Sequence, residues 1–137
     1  MKEWIGVDLD GTLAYYYEWG RWDAIGDPIP EMVARIRTWL EENRLVKIFT
    51  ARVGLDNGTC LVTNRPFTNL EVATVIQDWC EKNVQKGWRP EVTAKKDYMM
   101  VELWDDRAIQ VIPNTGQTVS EEMAAKYFAR HGVAWTP

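Results

Sequence analysis

Residues 4–12 read Trp4-Ile5-Gly6-Val7-Asp8-Leu9-Asp10-Gly11-Thr12, a short apolar run that breaks into acids and then into Gly-Thr. A run of this kind suits a buried strand that stops at a loop, the pattern of a parallel sheet covered by helices. Asp8 and Asp10 stand two apart and would share one face of an ideal strand. Both can aim at one site only if the strand frays into a loop there, and Gly11 with Thr12 supplies the bend.

Working outward, Leu45-Val46-Lys47-Ile48-Phe49 is a second such run and ends at Thr50-Ala51-Arg52. Met100-Val101-Glu102-Leu103-Trp104 is a third, ending at Asp105-Asp106-Arg107, and Ile109-Gln110-Val111-Ile112 follows before a Pro113-Asn114-Thr115-Gly116 turn. A weaker strand signal lies at Glu91 to Thr93. Between the runs, Met32, Val33, Ile36, Trp39 and Leu40 recur at helical spacing, with Pro30 near the start and Asn43 suited to the stop. Val72, Ala73, Ile76, Trp79 and Cys80 repeat that spacing after Thr68 and Glu71, which stand in the capping-box relation. A last helix is expected from about Ser120, through Met123, Ala124, Tyr127 and Phe128, to a stop at Gly132.

Strands alternating with helices at these lengths predict an α/β domain with right-handed crossovers, a doubly wound and mainly parallel sheet, and three α/β/α layers. In such folds ligands sit at the carboxyl ends of the strands, where all three polar stops fall. Two stretches fit neither pattern: residues 14–29, rich in Tyr and Trp, read as an aromatic flap, and residues 53–67, with the Asp56-Asn57-Gly58 turn signal, read as a loop excursion over the site.

At 137 residues the chain is the size of one domain, 1–137, with no room for a large cap or a separate substrate domain. Its 46% hydrophobic and 26% charged residues suit a globular core, and a net charge of −4 argues against coating nucleic acid through overall charge. Cys60 and Cys80 have no metal-ligand spacing and read as reduced, packed thiols. No apolar run is long enough for a signal peptide or membrane span, so a cytoplasmic protein is expected and the Asn57-Gly58-Thr59 sequon is incidental.

A carboxylate can attack a phosphoryl group, while a second protonates the leaving oxygen and later activates water, which casts Asp8 and Asp10 in those roles. Two carboxylates alone repel each other; a hard cation such as Mg²⁺ removes that conflict, and Asp105 with Asp106 on a neighbouring strand end can complete its site. Thr50 can donate a hydroxyl to the transferring oxygens, and Lys96 or Lys95 can offset their charge.

These residues resemble the haloacid dehalogenase superfamily of phosphohydrolases, whose hhhDxDGT motif is met by Ile5 through Thr12. The later motifs look like Thr50 at a strand end, Lys96 before Asp97-Tyr98, and the Asp105-Asp106 pair. The resemblance, over residues 4 to about 112, implies a Rossmann-like core, Asp8 as nucleophile and metal ligand, and Asp10 as acid and base and as a ligand through its main-chain carbonyl. It also implies Asp105 or Asp106 as the remaining carboxylate on magnesium. The segments around residues 25–30, 48–52 and 96–116 look like small capless phage and bacterial members, and the phosphatase domain of polynucleotide kinase is a more distant likeness. A phosphorylated small molecule or a nucleic-acid terminal phosphate is the substrate this suggests, met by Gly11 and Thr12; apart from the resemblance, Arg52 and Arg107 can clamp a phosphate in bidentate fashion or serve as ordinary surface arginines.

Blander roles stand beside these. An isolated Asp-x-Asp also marks sugar-nucleotide glycosyltransferases. Tyr15, Tyr16, Tyr17, Trp19 and Trp22 suit packing of the flap better than stacking on a base, and His131 suits a helix terminus better than catalysis. The competing functions are a receiver-like module, against which the order of the motifs speaks, and a phospho-ligand-binding protein without turnover.

Overall fold

The structure, a computed structural model, describes residues 2–16, 22–54, 57–59 and 66–130. They fall into two compact units, Met1–Asp106 and Arg107–Pro137. The first contains β1 (Trp4–Val7), α1 (Pro30–Glu41), β2 (Leu45–Phe49), a 3₁₀ turn (Ala51–Val53), β3 (Asn57–Thr59), β4 (Pro66–Thr68), α2 (Asn69–Asn83), β5 (Val92–Thr93) and β6 (Met100–Trp104). The second carries α3 (Glu121–Arg130).

The main sheet has the order β5-β2-β1-β6, and each neighbouring pair is parallel. Every residue of β1 is buried, which is why its sequence does not alternate. Ile5 and Val7, with Val46 and Ile48 of β2, face Val33 and Ile36 of α1 and Val72, Ile76 and Cys80 of α2 in one core. Each such aliphatic side chain stabilises the fold by about 1.5–3 kcal/mol relative to exposure. On Gly6 a β-carbon would stand 3.0 Å from Met100 Sδ and 3.2 Å from the Trp4 ring, so glycine lets these side chains close over the strand.

The two helices expected in this unit form, for local reasons. α1 opens with Pro30, whose missing N–H is no loss in a first turn, and stops where Asn43 takes φ 60°. α2 is capped by Thr68, whose hydroxyl oxygen accepts the Glu71 N–H at 3.2 Å. The reciprocal half of the capping box differs: the Glu71 carboxylate accepts from the Thr68 hydroxyl at 3.3 Å.

Within the first unit α1 and α2 pack into one core. The connection from β5 to β6 is residues 94–99, shorter than the ten or so residues a helical crossover needs. It is pinned instead by Asp97, whose Oδ1 accepts the Trp4 indole N–H and the Met99 N–H, both at 2.8 Å. The Trp4 hydrogen bond leads in holding the Asp97 carboxyl below its usual range.

The 53–67 excursion includes β3 and β4, paired antiparallel; residues 55, 56 and 60–65, Cys60 among them, lie outside the described residues, as do Tyr17, Trp19, His131 and Gly132. In the second unit the turn after Ile112 forms, with Asn114 and Gly116 at φ 66° and 74°. The apolar run before it makes a single bridge, Val111 to Thr118, rather than a strand. No helix among the described residues is long and apolar enough to cross a membrane.

Candidate active site

The strand order sets the location of the site. From β1 the chain builds outward through β2 to β5, then returns past β1 to lay β6 on its other side. The direction of winding therefore reverses between β1 and β6, and their carboxyl ends are the switch point at which open α/β sheets bind ligands. Val7 pairs in register with Trp104, so the next residue on each strand, Asp8 and Asp105, leaves the sheet side by side. The Asp8 N–H donates to the Trp104 carbonyl at 2.9 Å and carries the ladder one step further.

Past Asp8 the strand ends, as the Gly-Thr signal required. The Leu9 carbonyl accepts from the N–H groups of Thr12, Leu13 and Ala14, while the Gly11 N–H donates to the Ala14 carbonyl at 2.8 Å. Gly11 has φ +89°, and a β-carbon there would stand 2.5 Å from Asp106 Oδ2. The backbone of the Asp8 loop thus meets the Asp106 carboxylate directly. Thr12 ties the two loops: its hydroxyl oxygen accepts the Asp106 N–H at 3.0 Å and its hydroxyl donates to Asp8 Oδ2 at 3.4 Å.

Asp8, Asp105 and Asp106 each offer a carboxylate oxygen within 4.8 Å of the others. That is close enough for the three carboxylates to hold one hard cation between them. Electrostatics points the same way. Burial, then the charge of Asp105, then Asp106 through a hydrogen bond and its charge, push the Asp8 carboxyl up to about 7, with Asp10 adding to the effect. A cation would relieve what a proton otherwise must.

Asp10 turns elsewhere. Its Oδ2 and Oδ1 accept from Arg52 Nε and Nη2, both at 2.7 Å, in a two-pronged ion pair, and Arg52 Nη1 donates to the Trp22 carbonyl at 3.0 Å. Thr50 is 3% exposed, the buried polar residue among those described. Its N–H donates to the Thr93 carbonyl at 2.9 Å and its hydroxyl oxygen accepts the Arg52 N–H at 3.2 Å, leaving the hydroxyl hydrogen to be given away.

The structure thus gathers Asp8, Gly11, Thr12, Asp105 and Asp106, with Asp10 and Arg52 paired beside Thr50. Lys95 and Lys96 are both exposed, and neither forms an ion pair among the described residues. Lys95 lines an open cavity of about 520 Å³ with Val53, Asn69 and Thr93, and Lys96 is not among its lining residues. Arg107 belongs to the second unit, where it is exposed. In the flap, Trp22 stacks on Phe67 with ring centres 5.4 Å apart, whereas Tyr15 and Tyr16 are exposed. Sequence reasoning missed the Asp10–Arg52 pair and the Trp22 carbonyl, because partners 42 and 30 positions apart leave no local signal. No family model, curated protein or solved structure matches this chain.

Proposed function

We propose that the chain is a magnesium-dependent phosphomonoester hydrolase of the haloacid dehalogenase type, working through an aspartyl-phosphate on Asp8. The observation that carries this reading is the meeting of Asp8 with Asp105 and Asp106 at the switch point of the sheet. The reading takes the four-stranded sheet as the core of a doubly wound, three-layer domain.

In the first step an Asp8 carboxylate oxygen bonds to phosphorus, the ester P–O bond breaks, and the leaving oxygen takes a proton from the Asp10 carboxyl. In the second, water gives a proton to the Asp10 carboxylate, its oxygen bonds to phosphorus, and the Asp8–phosphorus bond breaks. Ester plus water becomes alcohol plus phosphate, and both aspartates return to their starting states. The Thr50 hydroxyl donates to the transferring oxygens, and Lys95 or Lys96 offsets their charge. Asp8, Asp105, Asp106 and the Asp10 main-chain carbonyl would hold the magnesium ion. When bound, that ion neutralises the crowded carboxylates and the entering phosphoryl group. The substrate is a phosphorylated small molecule or a nucleic-acid end.

The test is magnesium-dependent release of phosphate from an aryl phosphate by the parent protein and by Asp8→Asn. Loss of the nucleophile should lower the rate at least about 10³-fold. Equal release by both proteins would remove Asp8 from the chemistry and the reading with it.

A further inference from the structure

We infer that Arg52 is a positioning residue for Asp10, exchanging between that carboxylate and the phosphoryl oxygens of the substrate, so that arrival of the phosphoryl group frees Asp10 to take a proton from solvent and deliver it to the leaving oxygen. The inference rests on the phosphohydrolase reading and adds to it a coupling between binding and acid-base chemistry.

Geometry carries it. Both oxygens of Asp10 lie in the fork of the guanidinium at 2.7 Å. To serve the leaving group, one of them must come within hydrogen-bond reach of the ester oxygen. A carboxyl gripped along its whole edge is held back from that move, so something must take the guanidinium. A phosphoryl group can, because it offers the same two-oxygen edge with more negative charge.

Arg52 is suitably mounted for the exchange. Its own N–H is bonded to Thr50 Oγ1 at 3.2 Å, in the turn whose hydroxyl faces the transferring oxygens in the proposed chemistry. The backbone can therefore stay fixed while the side chain rotates between partners. The third contact, Nη1 to the Trp22 carbonyl at 3.0 Å, ties the same side chain to Trp22, whose ring stacks on Phe67.

The experiment is a crystal structure of the parent protein with Mg²⁺ and orthovanadate, joined to the kinetics of Arg52→Lys. The expected result is vanadate on Asp8, Arg52 on vanadate oxygens, and Asp10 out of the fork. The lysine variant keeps the charge but has no fork; its KM for an aryl phosphate should rise about tenfold while kcat stays within about threefold. Vanadate on Asp8 with the Arg52–Asp10 pair intact would overturn the exchange and leave the phosphohydrolase reading standing. The exchange falls likewise if Arg52→Lys loses kcat at unchanged KM, since the pair would then belong to the working geometry. Vanadate that fails to reach Asp8 would remove both.

Discussion

Asp8 sits where burial and its acidic neighbours all oppose its ionisation, and its carboxyl is pushed up to about 7. In metal-free protein the folded state therefore holds this proton more tightly than the unfolded chain does. That contribution to stability is complete below the ordinary value of 3.8 and is lost as pH rises through about 7. Asparagine cannot ionise, so without metal Asp8→Asn should melt above the parent at pH 8, with the gap closing towards pH 4. Paired melting curves across that range check it, and parallel curves would mean that Asp8 is not crowded. Gly11 offers a second test at this scale. Gly11→Ala must place a side chain at φ +89°, 2.5 Å from Asp106 Oδ2. It should destabilise the protein by about 1–3 kcal/mol and weaken Mg²⁺ binding at least about tenfold, read by denaturant unfolding and titration calorimetry.

Among the elements, those with a strong period or a full apolar run were legible from sequence. β1, β2 and β6 end at the polar residues that mark them, and α1 and α2 bury the faces their spacing defines. The Glu91 to Thr93 signal became an edge strand of two residues, Val92–Thr93. Short pairings were not legible: β3 and β4 have three residues each, too few for alternation to show. Ile109 to Ile112 has a strand's composition, yet composition does not supply a partner, and its ladder stops at one bridge. The helix-less return from β5 also left no mark, because its anchor is a contact between Trp4 and Asp97, 93 positions apart. At the site, Asp8, Asp105 and Asp106 were readable because register on adjacent strands brings them together. Where the Asp10 carboxylate points was not readable, because that depends on Arg52 arriving from another strand end. Thr68→Ala, which removes the α2 cap, should cost about 0.5–2 kcal/mol of stability with little change in phosphate release.

Across the whole molecule, the order of the main sheet brings Asp8, Asp105 and Asp106 together where its winding reverses, so binding at the site should reinforce the fold around it. At pH 7–8, Mg²⁺ should raise the melting temperature of the parent protein, and Asp105→Asn should require more of the ion for the same rise. An equal response in both proteins would place the ion elsewhere. The most direct measurement is to mix the parent protein with Mg²⁺ and an aryl phosphate, quench in acid, and find the peptide that carries the phosphoryl group by mass spectrometry. The account predicts the adduct on Asp8, dependent on magnesium and missing from Asp8→Asn. A phosphoryl group on any other residue, or turnover that survives in Asp8→Asn, would contradict it.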